Sequence, residues 1–469
     1  MVSVDAMKQA MASPGMLMKI GVPTIFVLLA ILYFTMAFWY KNQYGTYRSE
    51  SESIGNLLAI RRQTLQSAIG PLTPNYESVS SNLLAKRGIY SQISEDMTAL
   101  VNWRPLSVRM AGYLGGIHTV RDGGFDMNVG IQLALQVGAR CFVFEIDYLE
   151  DKPCEPCLIH RDDQAVMRSL HTGSIYQGMM ALHNMAFNSN YDPVIVVVYF
   201  RRIPLGKTQQ TNFLRAVAAS LDPLSTYHLG STEQGNFHNC RSESRLFTTE
   251  ITNFQKKFIV LCNYNTNLLP STPNPKDNLD FWVNARLYVD PSGTSALLGP
   301  ITASVPNGQV AYAKVGAIQQ LLQIPADAVG APVTTNYNTN TSNTFTIALG
   351  SMEDTFTTAQ LSTLLNTLGI QSVPMDILRL ATTPEHVKTL SNNNAANSVN
   401  DLANATNPAD PLSFWRHAGW SRKLIVEGFE NMKPVPVAGN IPGFIIPKTI
   451  TPKKPPSSTN SNGGLVNIG

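Results

Sequence analysis

Glu145 and Asp147 stand two residues apart in RCFVFEIDY (140–148), a run whose Val, Phe and Ile mark a buried strand. Residues i and i+2 of a strand share a face, so the two carboxylates converge as shared metal ligation requires. Further on, CLIHRDD (157–163) closes a short apolar run with His160, a side chain that titrates near neutrality and can give or take a proton. Metal ligation and proton transfer are the chemistry these residue types could do. The competing reading is structural: Arg140, Arg161 or other cations hold the carboxylates in an ion-pair network, and His160 is a hydrogen-bonded residue at a strand end.

The five cysteines are irregularly spaced, which argues against a secreted disulfide framework. CEPC places Cys154 and Cys157 in a single CxxC. A structural zinc site needs a second pair, and HNC (238–240) is only a partial match, so a zinc site, a local disulfide and a turn carrying two thiols all remain open.

The elements that must position these residues come next. At 469 residues and 44% hydrophobic content the chain can bury a sizeable core. Only 14% of residues are charged and Asn, Ser and Thr are abundant, so much of the polar surface is neutral and suited to protein packing. A net charge of +3 without a dense basic stripe excludes nucleic acid as a partner. IGVPTIFVLLAILYFTMAFWY (20–40) is uncharged and ends in aromatics, which predicts a single-pass transmembrane helix after an N-terminal tail of residues 1–19. Residues 41–105 read as a stalk, and the lysines and arginines around the span favour a cytoplasmic face for the large domain.

From residue 106 to about 430, helical and strand-like segments alternate. Helices are predicted at 128–138, 174–187, 211–221, 313–323 and 357–368; strands at 140–148, 192–200, 256–263 and 423–429. The wholly apolar VIVVVYF is typical of a parallel strand buried on both faces. So many strand and helix units predict an α/β fold with a TIM-like barrel, with a doubly wound sheet as runner-up. Asn-rich segments at 334–345 and 391–410 read as surface loops, where the sequons at Asn340 and Asn404 carry little weight. Residues 431–469 are Pro-rich and predict an extended tail.

The ordered series LALQVGARCFVFEIDYLEDKPCEPCLIHRDD, then helix, then DPVIVVVYF resembles the X-domain core of the phosphatidylinositol-specific phospholipase C superfamily. DPVIVVVYFRRIP, TEITNFQKKFIVLCN and LDFWVNARLY resemble, more narrowly, its degenerate membrane-anchored form in large icosahedral DNA viruses. The resemblance covers residues 106–290 best. It implies a TIM-like barrel in which two histidines act as general base and acid on a phosphodiester, and carboxylates two apart bind calcium. Glu145 and Asp147 match the metal pair and His160 matches the second histidine. The first histidine falls at Tyr113 in AGYLGG, with His118 the weak substitute; a later carboxylate falls at Tyr199 or Phe200, and a basic residue at Leu261.

Three of the expected working parts are therefore missing: base, full metal shell and anion recognition. The resemblance then implies a non-enzymatic minor capsid protein without a cofactor, partnered by a lipid bilayer and by capsid proteins, and placed in the virion with its anchor in the internal membrane. The alternative is a membrane-bound phospholipase C-like phosphodiesterase using calcium. A third reading is a receptor that binds an inositol or glycan headgroup without turnover.

Overall fold

A computed structural model describes residues 22–69, 99–114, 123–136, 138–162, 165–188, 190–230, 245–306, 311–324, 344–351, 358–376 and 420–422. His118, Cys240, Asn340, Asn404, most of the 334–345 segment, all of 391–410, the strand expected at 423–429 and the tail at 431–469 lie outside these residues. The chain divides into two units, Met1–Arg61 and Arg62–Gly469.

The first unit carries most of one long helix, α1 (Val22–Ile69). Its apolar side chains from residue 23 to 39 are exposed. The expected transmembrane span is corrected here: among the described residues no helix is long and apolar enough to cross a membrane. Beyond Lys41 the same helix runs on through KNQYGTYRSESES, a polar sequence. The placement in an internal membrane by a single-pass anchor falls with it.

The second unit is built on parallel strands. After β1 (Trp103–Pro105) come β2 (Ser107–Arg109), α2 (Met127–Gln136), β3 (Cys141–Asp147), β4 (Cys157–Leu158), α3 (Ile175–Met185), β5 (Val194–Phe200) and α4 (Lys207–Ser220). Then follow β6 (Phe258–Cys262), β7 (Ala285–Val289), β8 (Ala313–Ala317), β9 (Phe345–Leu349) and β10 (Trp420–Arg422). The sheet order is β2-β3-β5-β6-β7-β8-β9, every neighbour parallel, while the short β4 pairs antiparallel with the end of β3.

Residues 371–375 close the ring. Ser372 bridges Ile347 in β9 and Met375 bridges Val108 in β2, both in parallel sense. The Ala348 amide donates to the Ser372 carbonyl at 2.8 Å, and the Arg109 amide to that of Met375 at 3.0 Å. Seven strands and this segment make an eight-membered parallel α/β barrel, as the strand and helix alternation predicts.

The strand interiors are apolar because both faces are covered. Inward side chains such as Val143, Val197, Leu261, Leu287, Val315 and Ile347 form one cluster. At the N-terminal end, Trp103, Phe247, Phe254 and Trp420 join the same cluster. Trp420 arrives on β10, which pairs antiparallel with β1, and its indole Nε1 donates to the Pro193 carbonyl at 3.1 Å. The mouth at the other end is framed by the turn after β2. Gly130 on α2 lets that turn pack closely, since a Cβ there would lie 1.9 Å from the Ala111 carbonyl oxygen.

Two expectations are corrected. The helix expected at 313–323 begins as β8, with helix only at Ile318–Leu321; the small residues of AKVGA fit the crowded barrel wall and override their weak strand propensity. The first barrel strand is Ser107–Arg109 rather than AGYLGG. Met110, with φ of 49°, turns the chain away at once, so Tyr113 lies in the following turn.

Candidate active site

Active sites of parallel barrels lie where the strands end. Here β2 ends in Arg109, β3 carries Glu145 and Asp147 at its end, and β5 is followed by Arg201 and Arg202. Glu145 points inward with the row that holds Cys141 and Val143, as the period of two demands. The strand therefore does bring the predicted carboxylates to one face.

Cations already occupy that face. Arg109 Nε donates to Glu145 Oε1 at 2.6 Å, and Arg201 Nε donates to Oε2 of the same carboxylate at 2.5 Å. Arg161 Nε reaches Asp147 Oδ2 at 2.7 Å, and Arg202 Nε reaches Oδ1 at 2.7 Å. The Tyr148 amide adds a third donor to Asp147. All four oxygens of the acidic pair are thus taken by guanidinium N–H groups. Arg202 also pairs with Glu150 and lies 4.6 Å from the Tyr148 ring centroid.

Burial alone would push the Glu145 carboxyl up; Arg109 and then Arg201 outweigh it and hold the group at about 2. Burial lowers the Arg109 pKa against the opposing pull of Glu145. Two buried carboxylates answered by forked guanidiniums form a charge-assisted network that is stable only as a whole.

A calcium ion gathers six to eight oxygens at about 2.3–2.6 Å. Glu145 and Asp147 have none to give unless guanidiniums are displaced, and among the described residues no group of three or more His, Cys, Asp or Glu is placed to hold a metal. The residues do not fit calcium. The CxxC does not fit zinc either: among the described residues no further His, Cys, Asp or Glu joins Cys154 and Cys157 in a group that could hold a metal.

His160 is buried at 1% exposure, with its ring centroid 4.7 Å from that of Tyr113. Its backbone amide donates to Ser169 Oγ, but neither ring nitrogen has a hydrogen-bond partner among the described residues. Burial holds its pKa down to about 4, so at neutral pH the group is the neutral imidazole and not the imidazolium that a general acid requires. Tyr113 stands beside it and supplies no base. Tyr199, where the resemblance expects a carboxylate, donates its hydroxyl to the Leu298 carbonyl at 2.7 Å; Leu261 lies in the barrel core.

A buried histidine with unpaired nitrogens costs stability, and the cost grows in acid. Its folded pKa lies below the unfolded value of about 6.5, so the unfolded chain takes up the proton first. Stability then falls by roughly 3 kcal/mol as pH drops from 6.5 towards 4. His160→Leu should match or exceed the wild-type stability at pH 7 and abolish that part of the acid slope, as read by urea denaturation at several pH values. A variant that loses several kcal/mol at pH 7 would show that the imidazole is bonded after all.

The structure confirms Arg161 as a partner of Asp147 and removes Arg140. The latter sits at the start of β3, donating to the Ala186 carbonyl at 2.8 Å. Arg109, Arg201 and Arg202 fill the place of the other cations that the sequence leaves unnamed. The last two had a visible signal, two adjacent charges directly after the apolar VIVVVYF.

The fold and this mouth define a parallel α/β barrel whose acidic pair is held by arginines at the C-terminal ends of the strands. No protein-family model and no curated protein matches the sequence. Among solved structures the chain is similar to phosphoinositide-specific phospholipases C. It matches L. pealei PLC21 with a TM-score of 0.42 at 10% identity, over 69% of this chain and 37% of that one, so it spans little more than a third of the squid protein. A calcium-dependent phosphoinositol-specific phospholipase C from Pseudomonas sp. matches with a TM-score of 0.38 at 9% identity, over 66% and 95% of the chains. A calcium-dependent phosphatidylinositol-specific enzyme from Streptomyces antibioticus gives 0.35 at 11%, over 61% and 98%.

Proposed function

We propose that this chain is a non-enzymatic structural protein of an icosahedral virus particle, of minor capsid type. In this reading a phospholipase C-like barrel has given up phosphodiester chemistry and packs against capsid proteins. The observation that carries the non-enzymatic half is the capture of all four Glu145 and Asp147 oxygens by arginines. The neutral His160 beside Tyr113 supports it. The particle half is supported by the low charge, by the Asn-rich segments and by the resemblance of DPVIVVVYFRRIP and LDFWVNARLY to viral barrels of this kind.

The convergence of Glu145, Asp147 and His160 at the catalytic pole favours the other reading, a phosphodiesterase. Fractionation of purified particles tests the structural role. The intact chain should be a stoichiometric component that is released only when the capsid is disrupted. Its absence from particles would sink the proposal.

A further inference from the structure

We infer that four arginines serve as a permanent, metal-independent clasp across the barrel mouth, standing where a divalent cation would otherwise gather the acidic pair. Each guanidinium spends one side on a carboxylate and another on a backbone carbonyl; for Arg109 and Arg201 that carbonyl belongs to a distant mouth segment, for Arg161 and Arg202 to the loops that follow β4 and β3. Arg109, from β2, joins Glu145 to the Gly350 carbonyl beyond β9 at 2.7 Å. Arg201, beyond β5, joins the same Glu145 to the Leu297 carbonyl beyond β7. Arg202 ties Asp147 to Glu150 and to the Tyr148 carbonyl. Arg161 ties Asp147 to the Ala165 carbonyl at 3.0 Å.

The two carboxylates are thus hubs; Arg109 and Arg201 are struts to the segments that follow β9 and β7, while Arg202 and Arg161 fix the loops after β3 and β4. The planar fork suits this task because it can satisfy a carboxylate and a carbonyl at once, which an ammonium point charge does less well. Calcium could enter only by displacing guanidiniums from both carboxylates, and it would then face their four positive charges. The clasp is intrinsic to the chain and needs neither a metal nor a ligand to close the mouth.

The test uses the full chain and two readouts. Terbium(III), a luminescent calcium mimic, is titrated in while mouth tyrosines are excited, and thermal unfolding is followed with excess calcium and with chelator. Wild type should show no saturable terbium emission and the same melting temperature in both media. Arg201→Gln, which frees one oxygen of Glu145 and releases Leu297, should melt lower by about 5 °C or more. Saturable terbium binding lost in Glu145→Gln, or a calcium-raised melting temperature in wild type, would overturn the inference. So would an Arg201→Gln protein that melts with wild type. Should that variant fail to fold, the wild-type titration still decides. Phosphodiester turnover without calcium would remove the non-enzymatic reading and leave the clasp standing.

Discussion

Glu145→Gln should destabilise the second unit by about 3–5 kcal/mol at neutral pH, the usual cost of removing one member of a buried ion-pair network. The amide keeps the shape of the carboxylate, so packing is little changed. It leaves Arg109, almost fully buried, and Arg201, a quarter exposed, without the carboxylate they both hydrogen-bond. The pH dependence gives an independent sign. Glu145 has its folded pKa depressed from 4.5 to about 2, so its contribution is complete above about pH 4.5 and is lost as pH falls towards 2. Wild type should therefore lose roughly 3 kcal/mol across that window, and the variant should lack this component. Urea denaturation at pH 7 and through the acid range checks both. A variant within about 1 kcal/mol of wild type at pH 7 would mean that the carboxylate is not the hub described.

Trp420→Ala should cost a comparable 3–5 kcal/mol, although residue 420 lies far along the chain from the strands it packs against. The indole is fully buried in the cluster at the N-terminal end of the barrel, where Trp103 and Phe247 also lie. Its Nε1 reaches Pro193, the residue before β5. Removing it leaves a large cavity and an unanswered carbonyl. Ending the chain before residue 420 should have at least the same effect, measured as the shift in urea midpoint. A truncated chain as stable as wild type would show that the barrel is complete without its β10 strap.

Some of this fold was legible because burial on both faces leaves a mark. CFVFEID and VIVVVYF carry the uninterrupted apolar run of buried strands, and both are interior strands of the sheet. Short or compositionally weak strands left no such mark. Ser107–Arg109 holds three residues between a proline and a left-handed turn, and the ring-closing QSVPM contains a proline and two polar residues, so neither reads as a strand locally. AKVGA became β8 only because neighbours on both sides supply its hydrogen bonds.

At the site, the period of two placed Glu145 and Asp147 on one face, and the apolar run placed His160 beside them. What the carboxylates are doing there was not legible. Their partners come from positions 109, 161, 201 and 202, and only the closed ring brings those guanidiniums within hydrogen-bond reach. The apolar N-terminal segment misled in the opposite way: local composition suggested a span, while α1 continues into polar sequence without a break.

On the reading proposed above, the mouth performs no phosphodiester chemistry. The most direct test is release of soluble inositol phosphate from phosphatidylinositol vesicles by the full-length chain, with calcium supplied and with calcium chelated. The account predicts no release above the protein-free background in either condition, and no change on His160→Ala. Saturable release that depends on His160 would contradict it.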